Sequence, residues 1–174
     1  QGHLNWLVDR GVWFDWGTDQ FEDLVHSQVL AQMKMYSAAA RIYQRYGLGA
    51  IGIPYQVGLV RSVPASDLTE GMLNNSDRPD VVDSETGRVV RSGKPIVHFN
   101  EGDIGSGIPQ VLMADIYERK GLPPETTLHD IRWGREFEGR FVWVLEISGG
   151  APPAHFGGWE NTKVYRQPKM YFPL

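Results

Sequence analysis

Glu101 and Asp130 are the residues whose type and setting point most directly to chemistry. Glu101 follows the apolar run Pro95-Ile96-Val97-His98-Phe99-Asn100 and precedes the glycine-rich stretch Gly102-Asp103-Ile104-Gly105-Ser106-Gly107. In α/β sheets ligands gather outside the carboxyl ends of strands, so Glu101 and Asp103 are poised to face a cleft. A strand must also end somewhere polar, and Asp103 can simply start the next helix. Asp130 shares a strand face with Arg132, a pair that by itself can be no more than a surface ion pair. Taken together, Glu101 and Asp130 lie 29 residues apart on different elements and can converge on one hard divalent cation. Such a cation polarises a carbonyl and its neighbouring hydroxyl while the carboxylates shuttle a proton. His98, His129 and His155 are the downstream imidazoles that can complete the ligand set. Each is equally able to serve as a hydrogen-bonded structural histidine.

The stretch from Gly102 to Gly107 supports a competing chemistry, because backbone amides of a glycine loop at a helix N-terminus can cradle phosphate. Its glycine order is not that of the dinucleotide fingerprint, no Gly-Lys-Ser/Thr follows, and Asp103 sets a negative charge in the nest. Ser148-Gly149-Gly150 offers a hydroxyl beside a backbone that a ligand can approach closely. No Gly-x-Ser-x-Gly elbow is present. Trp133, Trp143 and Trp159 can stack on sugar rings or fill a core.

Several elements must position these residues. Apolar spacing from Phe21 to Tyr46, with Asp19 as N-cap and Gly47 as stop, predicts a long amphipathic helix. Leu48 to Tyr55 suits a short buried strand that delivers Gln56 at its C-terminal end. Ser66 or Asp67 caps a short helix through about Leu73, and a loop follows over Asn74 to Pro79. Val81 to Arg91 permits a small hairpin around Thr86-Gly87. Pro95 to Asn100 reads as a strand and Ile108 to Lys120 as a helix with Pro109 in its first turn. Thr127 to Trp133, Arg140 to Ser148 and Lys163 to Phe172 read as strands, the last weakened by Pro168. The aromatic opening from Asn5 to Trp16 has no clean period. The expected class is therefore α/β: a parallel-sheet α/β segment over 1–122 passing into a β-rich segment over 123–174, straddling a domain junction of a larger protein.

Composition narrows the partners. Of 174 residues 41% are hydrophobic, and 17 basic against 21 acidic side chains give a net charge of −4, not the basic footprint that phosphate backbones attract. Nucleic acid is excluded as an expected partner, and no apolar run is long enough to cross a membrane. The absence of cysteine removes thiolate metal sites and cysteine nucleophiles and fits a reducing cytoplasm. Gln1-Gly2-His3 looks like the remnant of an engineered protease site, so the parent sequence can begin elsewhere.

Gly52-Ile53-Pro54-Tyr55-Gln56, Glu70-Gly71-Met72-Leu73-Asn74-Asn75, Phe99-Asn100-Glu101-Gly102-Asp103 and His129-Asp130-Ile131-Arg132, in that order, resemble the L-fucose isomerase family of metal-dependent aldose–ketose isomerases. The resemblance fades after Ile147-Ser148-Gly149. It implies that residues 1–122 correspond to the family's second domain and 123–174 to the start of its C-terminal domain, in a homo-oligomer. It implies Glu101 and Asp130 as ligands of Mn2+ (or Mg2+) that also exchange the substrate proton, and Gln56 and Ser148 as sugar contacts. The implied reaction interconverts an aldose and a ketose through a cis-enediol. The family's third ligand is a far-downstream histidine, and His155 does not match its motif, so the fragment is expected to have little activity. The alternative expectation is a noncatalytic sugar- or phosphate-binding module built on Gly102 to Gly107.

Overall fold

The apolar rhythm of the long helix produces α2, His26–Tyr46, with Val29, Met33, Tyr36, Ala40 and Tyr43 turned into the core. A computed structural model describes residues 1–54, 63–100, 102–128, 130–146 and 150–166, with only the main chain of Asp130, Arg132, Leu145 and Glu146. The helix starts six residues later than the sequence predicts, with Val25 rather than Asp19 at its N-cap. Asp23 draws the backbone N–H groups of Thr18 and Asp19 onto its carboxylate at 2.8 and 3.0 Å, and Asp19 accepts from Phe21 N–H. These side-chain bonds hold the segment in turns, and the helix begins where Gln28 Oε1 accepts the Val25 N–H. Gly47 ends it in the left-handed region at φ 58°, a conformation glycine adopts without strain.

The aromatic opening begins in a helix that the sequence pattern did not reveal: α1, Gly2–Asp9, buries Leu4 and Leu7 against α2. Its first residues are integral to the fold. His3 packs edge-on against Tyr36, its Nε2 lies 3.1 Å from the Asp80 carbonyl and its Nδ1 3.2 Å from the Ser37 hydroxyl. Behind it the Arg78 guanidinium is buried with no ion pair to a carboxylate among the described residues. It donates instead to the Tyr36 hydroxyl at 2.9 Å and to the carbonyls of Val90, Arg91 and Lys94. This fan of bonds ties the loop after Asn74 to the turn around Gly93.

The remaining order is β1 (Trp13–Phe14), β2 (Ile51–Gly52), α3 (Asp67–Leu73), β3 (His98–Phe99), α4 (Ile104–Arg119), β4 (Asp130–Phe137), β5 (Arg140–Glu146) and β6 (Lys163–Val164). The chain is thus mixed α/β. Strand pairing is parallel for β2 with β3 and for β1 with β6, and antiparallel for β4 with β5. The strands expected over Leu48 to Tyr55 and Pro95 to Asn100 shrink to two residues each among the described positions, because one short parallel ladder joins them. The stretch expected as a hairpin at Val81 to Arg91 forms a single Val82–Val89 bridge. Lys163 begins a strand as predicted, but it closes on β1 rather than extending the β4–β5 ribbon. Trp159 is buried, edge-on to Trp6, with its indole N–H donating to the Asp77 carbonyl at 2.7 Å. The chain after the hairpin therefore returns to the core built by α1, α2 and α3.

The hairpin is different. Glu138 and Gly139, at φ 49° and 72°, make its tight turn. One face carries Phe141 and Trp143 folded over Gly134 and the other carries Trp133, Phe137 and Val142, all with exposed side chains. Two strands with no covering layer are marginal in water.

Two outcomes follow from the core. Arg78→Lys keeps the charge but cannot reach four acceptors, so chemical denaturation should show a loss of about 2–4 kcal/mol; an unchanged midpoint would refute the role assigned to Arg78. Burial holds His3 below the ordinary imidazole range despite the Asp80 carbonyl beside it. A depressed folded-state value means that the unfolded chain takes up the proton first. Stability should therefore be full above about pH 6.5 and fall as pH drops through the His3 range. Denaturation midpoints measured across that window should fall for the unsubstituted chain and flatten in His3→Gln.

Candidate functional site

The site is built around the edge of β3. Ile51 N–H donates to the Val97 carbonyl across the β2–β3 pair, so the N–H and C=O of His98 face away from β2. The Asn74 side chain takes both: Nδ2 donates to the His98 carbonyl at 2.9 Å and Oδ1 accepts the His98 N–H at 2.8 Å. An amide side chain with one donor and one acceptor copies the missing neighbouring peptide. Gln110, from the buried face of α4, donates to the same carbonyl at 3.3 Å. The Phe99 ring fills the space beside Gly52 and Gly107, where an added Cβ at either position would overlap it.

α3 delivers Asn74 and also Glu70, one turn earlier. The Glu70 carboxylate and the His98 imidazole are both fully buried, with Oε2 and Nδ1 3.8 Å apart. Neither side chain has a hydrogen-bond partner among the described residues. A buried pair of this kind is expensive unless it closes to hydrogen-bond distance, a movement of about 1 Å. The other end of α3 holds the chain that follows the hairpin. Gly150 N–H donates to the Asp67 carbonyl at 3.1 Å, and Gly71 lies against the carbonyls of Gly150 and Ala151. α3 is fixed to α2 in turn, since Thr69 N–H and Oγ1 donate to the Gln32 side chain and carbonyl.

Of the sequence-predicted site residues, Gln56, Glu101 and Ser148 lie outside the described residues, and Asp130 is described by its main chain as the first residue of β4. Their nearest described neighbours fall into two separate pairings. Gly52, four residues before Gln56, pairs with Phe99, two residues before Glu101, and the strands are parallel, so both segments leave the same end of the pair. Asp130 is in register with Glu146, two residues before Ser148, and Gly150, two residues after it, is bound to α3.

The imidazoles considered as a third metal ligand are otherwise engaged or undescribed. His98 faces Glu70, His155 has Nε2 3.2 Å from the Glu125 carbonyl, and His129 lies outside the described residues. Among the described residues no group of three or more His, Asp or Glu side chains is placed to hold a metal ion. The glycine stretch is also corrected. α4 begins at Ile104 rather than Ile108, so Gly105, Ser106 and Gly107 are helical, and Pro109 sits in the second turn. Asp103 occupies the N-cap, with its carbonyl accepting from Ser106 and Gly107.

Glu70 and His98 escaped the sequence reading as a pair. The available signal was Glu70 and Asn74, two polar residues four apart on the same short helix that contributes Leu73 to the core. Comparison with protein-family models, curated proteins and solved structures finds no match to this chain.

A Cβ added at Gly150 would overlap the Asp67 carbonyl, whereas one at Gly71 would press on the Ala151 carbonyl at 3.1 Å. Gly150→Ala should therefore cost about 1–3 kcal/mol and loosen residues 150–154 in hydrogen exchange, with Gly71→Ala milder on both counts. Equal tolerance of both substitutions would show that this junction does not hold the chain.

Proposed function

We propose that this chain is part of a metal-dependent sugar isomerase that interconverts an aldose and a ketose through a cis-enediol. The observation that carries the proposal is the parallel pairing of Gly52 with Phe99, which sends the segments bearing Gln56 and Glu101 out of one sheet end. The Asp130–Glu146 register and the Gly150–Asp67 bond support it by adding the flanks of the other two candidates.

In this reading Glu101 and Asp130 hold Mn2+ or Mg2+, for which two carboxylates and polyol oxygens are a suitable donor set. The bound cation would polarise the substrate carbonyl and the adjacent hydroxyl. One of the two carboxylates takes the proton from C2 of the open-chain aldose and returns it to C1. The hydroxyl proton on O2 leaves as O1 gains one, so the net change is a shift of the carbonyl from C1 to C2. Gln56 and Ser148 orient the chain of hydroxyls. His98 is buried against Glu70 and His155 lies beside the Glu125 carbonyl, so in this reading the ligand set is completed by another group, and the chain alone binds the cation weakly and turns over slowly. The reading includes a cytoplasmic setting and a homo-oligomeric parent. The phosphate-binding alternative has less support, because most of the loop it needs is the first turn of α4.

Calorimetric titration of the chain with Mn2+ tests the proposal. Binding should be measurable and should weaken by about tenfold or more in Glu101→Gln and in Asp130→Asn. Binding that ignores both substitutions, or metal-independent binding of a sugar phosphate in its place, would refute it.

A further inference from the structure

Glu70 and His98 leave the core with its largest unmet polar need. Both carboxylate oxygens of Glu70, both ring nitrogens of His98 and Oε1 of Gln110 are buried without a hydrogen-bond partner among the described residues. Three of these five atoms are oxygens, and the imidazole ring holds the only N–H groups among them. Glu70 Oε2 and His98 Nδ1 stand 3.8 Å apart, too far for a hydrogen bond. Two ligands of one zinc ion, each bonded at about 2.0–2.2 Å, lie about 3.4 Å apart at a tetrahedral angle and about 4.2 Å apart at most. The observed separation falls inside that span.

Closure of the pair to a hydrogen bond would satisfy one oxygen and one nitrogen and leave Glu70 Oε1 with nothing. A cation takes both carboxylate oxygens and Nδ1 together and supplies the positive charge that a buried carboxylate requires. Nδ1 ligation leaves the ring proton on Nε2, where it needs an acceptor. Gln110 brings the unpartnered Oε1, and its Nε2 donates to the His98 carbonyl at 3.3 Å. Ligating imidazoles commonly give their other N–H to an oxygen in this way.

The main chain fixes both ligands before any ion arrives. Asn74 bonds the N–H and the C=O of His98 and lies one turn from Glu70 on α3. Thr69, beside Glu70, is tied to α2 by two hydrogen bonds to Gln32. Without cysteine, a carboxylate and an imidazole are the donors this core can offer, a set that suits Zn2+ better than Mg2+.

We propose that Glu70 and His98 bind one divalent transition ion of the Zn2+ kind inside the core, through the Glu70 carboxylate and His98 Nδ1. Water completes the shell of a site with only two ligating side chains. The site is separate from Glu101 and Asp130 and independent of the isomerase reading. Both side chains are fully buried, so the ion enters as the chain folds and leaves slowly.

The test uses the 174-residue chain carrying Glu101→Gln and Asp130→Asn, which removes the carboxylates of the other candidate site. Refolded with Co2+ and then dialysed against a chelator, this variant should retain one equivalent of Co2+ with visible d–d absorption. Adding Glu70→Gln or His98→Gln, both close in size to the original, should lower the retained metal by about tenfold or more with circular dichroism unchanged. If either addition disturbs folding, the ring 15N signals decide. Refolding with Zn2+ should shift His98 Nδ1 and leave the signals of His3, His26 and His155 in place. Loss of all metal on dialysis, retention that ignores both substitutions, or a His98 signal that does not respond to Zn2+ would overturn the proposal.

Discussion

The two hydrogen bonds between the Asn74 side chain and the main chain of His98 are the constraint on which the rest of this fold depends. A two-residue parallel ladder is too short to be stable by itself, and one edge of β3 would present an unmet N–H and C=O. Asn74 occupies that edge as a third strand would, and so attaches a helix to a sheet through main-chain geometry rather than through side-chain packing alone. The same helix carries Thr69 onto α2 and Asp67 onto Gly150. Residues distant in sequence therefore share one rigid neighbour of seven residues.

That economy explains why the candidate site is associated with buried polarity. Glu70 lies within one turn of Asn74, so the helix that clamps the β3 main chain also sets a carboxylate against the His98 ring. An apolar pair there would be cheaper to bury, since unpaired polar atoms in a core cost stability. Proteins retain such violations mainly where function is built, and this one lies beneath the strand that leads to Glu101. The exposed hairpin and the exposed Ile104, Ile108, Leu112 and Ile116 of α4 are violations of another kind. They are apolar surfaces left in water.

Much of this was legible in the residues. The spacing of Val29, Met33, Tyr36 and Tyr43 gives α2 its buried face, Ser66-Asp67 starts α3, and Gly121 follows the end of α4 because local chemistry decides those boundaries. The start of α2 was not legible, since Asp19 is a good N-cap by type but Asp23 folds back onto the N–H groups of Thr18 and Asp19 and holds the segment in turns. α1 was hidden because its buried surface is only Leu4 and Leu7, too little for a period to emerge. Asn74 was legible only as a loop residue. That it bonds His98 depends on a contact 24 residues away, which no local pattern encodes. Glu101 and Asp130 are legible as candidate ligands by residue type and resemblance, and the fold supplies the residues that flank them.

The proposed function requires the four segments that carry Gln56, Glu101, Asp130 and Ser148 to converge on one cation site. Paramagnetic broadening of backbone amide signals by Mn2+ measures that convergence directly, without requiring turnover. The account predicts that substoichiometric Mn2+ selectively broadens the amides of Gly52, Asn100, Gly102, Asp130 and Gly150 and leaves those of His3, Val90 and Trp159 sharp. Broadening spread over the acidic surface, or confined to one of the four segments, would contradict it.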